Sequence, residues 1–473
     1  MLEIIKGVKN EAPFKYFEEI SKIPRASGNE KEIANYLVAF AKAHGLDWYK
    51  DESNNVLIKK KATEGRESEE TIMLQAHTDM VAEKNKGTTH DFERDPIKLI
   101  CEGNILRADG TTLGADDGFG VAIMLAVLGN NEISHPEIEC LFTSSEEVGL
   151  VGASSFDYSH IKSRRMVNLD SAEENTVIIG CCGGIRTELT MGTEMTEAEG
   201  TGIKITIGGL CGGHSGEDID RGRLNSHILM GKLLNKIKEQ SDLVISQING
   251  GDKDNAIPRE CEALILTERD VCLDGLEEYA RGFIKADEDK GLFVACERVN
   301  VKKAISKEKT EQMLKILSLP NGVLHYRTVE PILPEASRNL ARIRTNDNSI
   351  SIGFSSRSYL ESRLEESTSQ LDRVAKEIGG TTYHHEKYPG WESPKDSDLV
   401  TKWQRAYNKT TGRQTSPTLI HAGLECGLMS AKLNGLVAIS VGCNVHDLHT
   451  PKETMELDSM ERIYNTVLEF LNS

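Results

Sequence analysis

Histidine and acidic side chains that could bind metal ions follow several short apolar runs in this sequence. The set offers imidazole and carboxylate groups and no thiol, a donor chemistry that suits zinc, cobalt or manganese. A carboxylate shared by two such ions holds them roughly 3.5–4 Å apart, and pairs of this kind activate water for hydrolysis. In chain order, the candidate residues are His77, Asp79, Asp116, Glu146, Glu147, Asp170 and His449.

Taken one at a time, these residues have ordinary structural explanations. An aspartate before a helix, such as Asp116, is commonly an N-cap, and an aspartate after a strand, such as Asp170, is commonly a turn residue. The adjacent Glu146 and Glu147 would usually belong to the solvated surface. Their joint occurrence, each next to a predicted strand, is what favours a metal site.

The segments around these residues alternate between strand and helix patterns. Buried-strand patterns cover residues 71–76, 138–143 and 166–169, and a helical pattern covers residues 117–128. Alternation of this kind predicts an α/β domain with a mostly parallel sheet flanked by helices. In open α/β sheets ligands gather at the carboxyl ends of the strands, which is where the candidate residues fall.

The pattern changes after the adjacent Cys181 and Cys182. Polar and apolar residues alternate at 203–207 and 263–267, as in half-solvated strands, and a helix is predicted near 224–237. This mixture of half-solvated strands and a helix indicates an inserted α+β lid domain. We therefore predict a catalytic domain in two parts with the lid between them: 1–182, then the lid at 183–383, then 384–473, with 384–395 as the connection back.

Composition excludes several classes of partner and location. The net charge of −18 argues against nucleic acid and against a polybasic membrane anchor, because both need a basic surface. No apolar stretch of about twenty residues is present to cross a membrane. Residues 1–20 carry acids and lack a leader-like apolar segment, and the ten cysteines are scattered without a C-x-x-C pair. We expect a cytoplasmic protein.

Five motifs together carry a resemblance to a known family: MLQAHTDMV, TLGADDGFGVA, SSEEVGLVGA, NLDS and HTPKE. The chain resembles the aminoacylase-type di-zinc metallopeptidases over nearly its full length, and GGHSGEDI and NAIPRE in the predicted lid also match that family. Within the family it is most similar to dipeptidases that cleave Xaa-His substrates. The resemblance implies hydrolysis of small, carnosine-like dipeptides by an enzyme that uses two divalent metal ions. The expected metal is zinc, with cobalt or manganese as alternatives.

The resemblance also implies a role for each candidate ligand. Asp116 would bridge both metal ions. His77 and Asp170 would complete the shell of one ion, and Glu147 and His449 would complete the shell of the other.

Two further residues of the set receive other roles from the resemblance. Asp79 would hydrogen-bond His77 and fix its ring tautomer. Glu146 would be the general base that takes a proton from water and later gives it to the leaving amine. His446 competes with His449 as a ligand, and the family motif, with its ligand before Ser/Thr-Pro-x-Glu, favours His449.

Residues of the predicted lid would contact the substrate. His214 would stabilise the oxyanion, often across a dimer interface, which implies a homodimer. Asn255 would also contact the substrate, and Arg357 would hold its terminal carboxylate. The alternatives are a simple tight turn around His214 and a surface ion pair for Arg357. Glu425 either faces the site or only begins a helix.

Other functions on the same scaffold stay open at this point. An N-acyl amino acid hydrolase or a carboxypeptidase would have the same metal site and a different lid pocket. A non-catalytic binding protein would have lost Glu146 or a metal ligand, and all are present. A metal store would favour accessible soft ligands, which this set lacks. Preference for a C-terminal histidine rests on the resemblance alone, and Cys181 and Cys182 receive no role.

Overall fold

The chain forms two compact units. The computed structural model describes residues 11–328 and 332–473; the first ten residues, which entered the expectation that no leader is present, lie outside the described residues. The first unit contains the chain up to Cys181 together with Trp391–Leu419 and Leu424–Ser473, and the second contains Cys182–Gly390 with Ile420–Gly423. The second unit thus reaches Gly390, where the sequence suggested a lid ending at 383.

The helices and strands follow in chain order. Up to residue 181 they are α1 (Ala12–Ile20), α2 (Lys31–Ala43), β1 (Asp47–Lys50), β2 (Val56–Lys60), β3 (Ile72–His77), β4 (Leu99–Glu102), β5 (Ile105–Ala108), α3 (Ala115–Gly129), β6 (Ile138–Thr143), α4 (Val151–Ser155), β7 (Arg165–Asn168) and β8 (Thr176–Cys181). From 182 to 390 they are β9 (Gly183–Gly192), β10 (Thr196–Glu197), β11 (Thr201–Gly208), β12 (Gly213–His214), α5 (Ser226–Lys238), β13 (Leu243–Gly250), β14 (Ala256–Ile257), β15 (Cys261–Thr267), α6 (Leu276–Arg281), β16 (Phe293–Arg298), β17 (Lys303–Ala304), α7 (Lys307–Leu317), β18 (Gly322–Tyr326), β19 (Pro334–Thr345), β20 (Ser349–Ser358), α8 (Glu361–Glu377) and β21 (Thr381–Tyr388). After 390 they are β22 (Trp391–Glu392), α9 (Asp398–Thr411), β23 (Ser416–Ile420), α10 (Glu425–Lys432), β24 (Val437–Ser440), β25 (Val445–His446), β26 (Thr454–Glu456) and α11 (Leu457–Asn472).

The main sheet of the first unit is parallel at its centre. Its strand order is β1-β2-β6-β3-β7-β24-β8-β22, with β23 beside β8. The neighbours β6, β3, β7 and β24 are parallel, and the described pairs towards both ends are antiparallel. Every residue of β3 and β6 is buried, as in strands covered on both faces. The predicted α/β fold is confirmed.

The second unit is built on an antiparallel sheet. Its order is β16-β11-β15-β13-β19-β20-β9-β21, with β18 beside β19. Burial alternates along β9 from Ile185 onward, as the period of two in a half-solvated strand requires. Buried side chains of β11, such as Ile205, share one core with Leu233 of α5. The predicted strand at 203–207 and helix at 224–237 are confirmed, and so is the α+β character of this unit.

One predicted connection is a strand instead. The sequence suggested that residues 384–395 link the two domains, yet β21 continues to Tyr388 and pairs antiparallel with β9 of the second unit. The strand was missed because its side chains are mostly polar. It pairs along one edge of the sheet, so half of its surface stays in water and no apolar run is needed.

Two expectations from composition can be compared with the described residues. No helix among them is both long enough and apolar enough to cross a membrane. All ten cysteines are free thiols, and Cys181 and Cys182 are buried. Both thiols donate to backbone carbonyl groups, Cys181 to Leu424 and Cys182 to Ala422, and neither contact assigns a role to the two adjacent cysteines.

Candidate metal centre

Three neighbouring parallel strands of the first unit bring acidic and histidine side chains to one edge of its sheet. His77 is the last residue of β3. The chain after β6 leads through Ser145 to Glu146, and the chain after β7 leads to Asp170. Ser145 has a positive φ of 51°, and Glu30 accepts hydrogen bonds from both its N–H (3.1 Å) and its hydroxyl (2.7 Å). These two hydrogen bonds to Glu30 hold the turn that carries Glu146.

Asp116 lies between two histidines. It sits in the irregular first turn of α3 (φ −77°, ψ 111°) and does not cap that helix. Its Oδ1 is 3.0 Å from His77 Nε2, and its Oδ2 is 3.1 Å from His449 Nε2. A second carboxylate approaches each of these nitrogens: Asp170 Oδ1 is 3.7 Å from His77 Nε2, and Glu147 Oε1 is 3.0 Å from His449 Nε2. Two groups of possible metal ligands therefore share Asp116.

This spacing fits metal ions better than hydrogen bonds. An imidazole Nε2 carries at most one proton, so it cannot donate well to two carboxylates at once. Here two carboxylates converge on Nε2 of His77 and two on Nε2 of His449. A cation placed within each group would satisfy all of these atoms together, and histidine with carboxylate is a donor set that zinc accepts. The residues present fit a pair of divalent ions.

Glu146 faces the same cluster from the turn after β6. An oxygen of its carboxylate, one of Glu147 and a ring nitrogen of His77 all lie within 4.8 Å of one another. Removal from water, followed by the negative charges of Glu147 and Asp170, raises the pKa of Glu146 well above its ordinary value, while a charged His77 lowers it. The surroundings of Glu146 therefore favour the protonated form of its carboxylate more than water does.

Asp79 holds both His77 and the glutamate turn. It is fully buried, and its Oδ1 is 3.4 Å from His77 Nδ1. The N–H groups of Glu146 and Glu147 donate to its two carboxylate oxygens at 2.9 and 3.2 Å, and Ser27 Oγ donates at 2.7 Å. Burial alone would raise the pKa of Asp79, but the hydrogen bonds, above all that with His77, keep it below its ordinary value. One charged carboxylate therefore orients four neighbours.

Two positioning residues were missed by the sequence analysis. Glu453 accepts hydrogen bonds from the N–H groups of four consecutive residues, 113–116, at 2.8 to 3.3 Å, and so fixes the loop that carries Asp116. Arg25, also buried, donates to the carbonyl groups of Asp79 and Gly114. Gly114 has a φ of +68° and a Cβ there would collide with Arg25, so only glycine fits. Glu453 stands in the HTPKE motif, whereas Arg25 has no local signal.

His446 does not join the cluster. Its Nε2 is 3.0 Å from Glu456 Oε1, and among the described residues it belongs to none of the groups that could hold a metal ion. His449, three residues later, reaches Asp116 and Glu147 instead, from a backbone with a φ of 62°. The geometry supports the choice of His449 over His446.

The second unit brings His214 and Arg357 together. Arg357 Nη2 is 3.4 Å from His214 Nε2, and Arg357 Nη1 donates to Tyr388 Oη at 2.7 Å. Arg357 is only 7% exposed. Its Nε has no hydrogen-bond partner among the described residues. Arg357 is therefore buried rather than at the surface, and a buried guanidinium with an unused donor is suited to an anionic ligand.

Asn255 is placed beside His214 by the backbone rather than by its side chain. Its carbonyl accepts a hydrogen bond from the N–H of Ser215 at 2.8 Å. The next residue, Ala256, pairs with His214 in the small β12–β14 sheet. The Asn255 side chain is exposed and makes no hydrogen bond within the described chain. Asn255 is thus near His214 along the strand pair and leaves its amide free for a ligand.

Comparison with known proteins gives this arrangement a family. The chain is 35% identical over 468 residues, 96% of each protein, to a cytosol non-specific dipeptidase of Escherichia coli (strain K12). The crystal structure of aminoacylhistidine dipeptidase from Vibrio alginolyticus is similar over 99% of this chain and 97% of that one, with a TM-score of 0.82 and 32% identity. Aminopeptidase PepT from Bacillus cereus, at 16% identity and a TM-score of 0.59 over 98% of both chains, shares the fold. Residues 73–473 match the peptidase family M20/M25/M40, and the chain belongs to that family of metal-dependent peptidases.

Proposed function

We propose that this peptidase is a dipeptidase that works with two divalent metal ions, zinc in the first place. The observation that carries the proposal is the position of Asp116, whose two oxygens face two different histidines at 3.0 and 3.1 Å. His77 and Asp170 would bind one ion with Asp116, and Glu147 and His449 would bind the other. Bound there, the ions would polarise the scissile carbonyl and lower the pKa of the attacking water.

Glu146 is the general base in this proposal. Its carboxylate lies at the cluster, and its main chain is held by Asp79 at 2.9 Å. Glu146 would take the proton of the attacking water and pass it to the leaving amine, a task for which a raised carboxylate pKa is an advantage. Asp79 acts through others, because it keeps the ring of His77 and the turn of Glu146 in place.

Arg357 and His214 are the proposed contacts for the C-terminal end of the substrate. The buried guanidinium of Arg357 has donors to spare for a free carboxylate, and bidentate recognition of a carboxylate suits arginine. His214 would stabilise the negative charge that develops on the carbonyl oxygen, and Asn255 would add a polar contact. A guanidinium that binds a free C-terminal carboxylate favours peptides with that group over their C-terminal amides.

The names of the two similar proteins guide the finer parts of the proposal. One is named a cytosol non-specific dipeptidase and the other an aminoacylhistidine dipeptidase. We place Xaa-His dipeptides such as carnosine within the substrate range. The cytoplasm is the proposed location, since the Escherichia coli relative is named as cytosolic. A homodimer is proposed from the role of His214, which in this family often acts across an interface.

A substrate panel tests the function directly. Carnosine, Ala-His, Gly-Leu, a tripeptide and an N-acetyl amino acid are incubated with metal-free and with zinc-loaded protein. We expect zinc-dependent cleavage of the dipeptides, including those with histidine, and none of the other two. Cleavage of the N-acetyl substrate alone would favour the N-acyl amino acid hydrolase, and removal of the last residue of the tripeptide would favour the carboxypeptidase. Two bound ions without any cleavage would indicate a binding protein.

Tyr388→Phe should weaken recognition of the substrate carboxylate. The ring of Tyr388 packs so closely on Gly184 and Gly423 that a Cβ at either would collide with it, and its hydroxyl accepts from Arg357 at 2.7 Å. Loss of a hydrogen bond to a charged group should raise KM for dipeptides about tenfold, with kcat little changed. The measurement compares KM for a dipeptide with KM for its C-terminal amide. The amide lacks the carboxylate, so its KM should already be high and should not rise further in the variant.

The matched control for this prediction is Tyr359→Phe. Tyr359 is also in the second unit, and its hydroxyl donates to the carbonyl of Ile420 at 2.6 Å, not to Arg357. It should leave KM for dipeptides unchanged. A similar rise in KM for the amide, or an equal effect of Tyr359→Phe, would contradict the role given to Arg357 and Tyr388.

A further inference from the structure

A layer of buried polar side chains lies directly behind the metal cluster in the first unit. Gln75 stands two residues before His77 on β3, Asn168 stands two before Asp170 on β7, and Thr143 is the last residue of β6. All three are fully buried. A strand repeats its side-chain direction every second residue, so Gln75 faces the same way as His77.

One carboxylate joins these side chains. Glu425, the first residue of α10, is itself fully buried. Its Oε2 accepts hydrogen bonds from Gln75 Nε2 at 2.5 Å and from Thr143 Oγ1 at 2.7 Å. Gln75 Nε2 also donates to Thr143 Oγ1 at 3.1 Å. Glu425 thereby fixes which way the Gln75 amide points, since its Nε2 must face the carboxylate.

The oriented Gln75 amide extends the network to the backbone of a proposed ligand. Its Oε1 accepts from Asn168 Nδ2 at 2.6 Å, and Asn168 Oδ1 in turn accepts from the N–H of Asp170 at 3.3 Å. A continuous chain of hydrogen bonds therefore runs from Glu425 through Gln75 and Asn168 to Asp170. Its other branch ends on Thr143, next to the turn that carries the glutamates.

The cost of this carboxylate calls for an explanation beyond packing. Glu425 Oε1 is buried and has no hydrogen-bond partner among the described residues, which is unfavourable for a carboxylate. Burial raises the pKa of Glu425 to about 7, with Asp170 and Asp79 among the charges that contribute. A negative group kept behind a cluster of carboxylates is unfavourable in the metal-free protein and becomes favourable once cations occupy that cluster.

We propose that Glu425 is a positioning residue of the metal centre, which acts through Gln75, Thr143 and Asn168 to hold the proposed ligands at the ends of three strands. The inference rests on the proposed function, because it assigns the network to the same metal site. The competing explanation is local: an acidic residue in the first turn of α10 interacts with the helix dipole and stabilises only that helix.

Zinc affinity measured by competition with a chromophoric chelator tests the inference. Glu425→Leu removes both the acceptor and the charge, and should lower zinc affinity about 100-fold, the upper range for residues that support metal ligands. Glu425→Gln keeps an acceptor for Gln75 and Thr143, and should lose only about tenfold. Thr143→Val removes one donor and should lose about fivefold, as for one hydrogen bond.

Glu139→Gln is the matched control. Glu139 is a fully buried carboxylate on β6, like Thr143, but roughly 13 Å further back along the strand. It accepts from Lys59 Nζ at 2.8 Å and from backbone N–H groups. The change should lower the thermal stability of the metal-free protein and leave its zinc affinity within about twofold, because no bond of Glu139 reaches the network of Glu425.

The outcomes separate the inference from the function on which it rests. Wild-type protein that binds no zinc would overturn both. Zinc binding by the wild type with undiminished affinity in Glu425→Leu, or equal losses in Glu425→Leu and Glu425→Gln, would overturn the positioning role alone. So would a loss of affinity in Glu139→Gln as large as that in Glu425→Leu. If Glu425→Leu does not fold, the fivefold loss in Thr143→Val decides, since this variant keeps Glu425 and the start of α10.

Discussion

Glu146→Gln is expected to lower kcat for dipeptide hydrolysis by about a thousandfold, within the range for loss of a general base. Glutamine has the same shape and keeps the N–H that donates to Asp79, but it cannot take a proton from water. Because Glu146 lies outside the two ligand groups that share Asp116, the variant should keep two zinc ions per chain. The measurements are kcat at saturating substrate and zinc content by elemental analysis.

The neighbouring Glu147→Gln supplies the contrast. Glu147 Oε1 lies 3.0 Å from His449 Nε2, within one of the two groups that share Asp116. This variant should lose one of the two zinc ions as well as activity. The assignment of the two glutamates would be reversed if Glu146→Gln lost an ion while Glu147→Gln kept both. A kcat for Glu146→Gln within tenfold of the wild-type value would exclude Glu146 as the base.

The parts of the fold and site that depend on local sequence were predictable. Fully buried parallel strands are short apolar runs, so β3, β6 and β7 could be located within a residue or two. Since parallel strands end at a common edge, the acidic residues and histidines after them were expected to meet. His77 indeed lies in one group of possible ligands with Glu146 and in another with Asp170. The roles of these residues stay predictions, as do the roles of His214, Asn255 and Arg357.

The parts that depend on contacts distant in sequence were not predictable. Glu453 accepts a hydrogen bond from the N–H of Asp116, which is 337 residues away in the sequence. Glu425 accepts one from Gln75, which is 350 residues away. No periodicity reports such a pairing, because it arises only when the sheet has assembled. Ile420–Gly423 likewise joins the second unit although the segments on both sides belong to the first. The residues next to a glutamate in the sequence do not show whether it is exposed or has a buried partner far along the chain.

Asp116→Asn is expected to remove the two-metal site altogether. Each oxygen of Asp116 faces one histidine, and the amide nitrogen of asparagine cannot replace an oxygen as a ligand. Zinc should fall to at most one ion per chain under conditions that give two in the wild type. Metal ions contribute several kcal/mol of transition-state stabilisation and each 1.36 kcal/mol is tenfold in rate, so kcat should fall about a thousandfold or more.

Two histidines three residues apart provide the controls for this prediction. His449 lies 3.1 Å from Asp116 Oδ2, whereas His446 pairs with Glu456 at 3.0 Å. His449→Ala should therefore leave one zinc ion per chain, and His446→Ala should leave two with wild-type kcat. Two ions retained by Asp116→Asn would exclude Asp116 as the shared ligand. If His446→Ala lost one ion and His449→Ala kept both, His446 would be the metal ligand. The exposed loop would then have to rearrange when the metal binds.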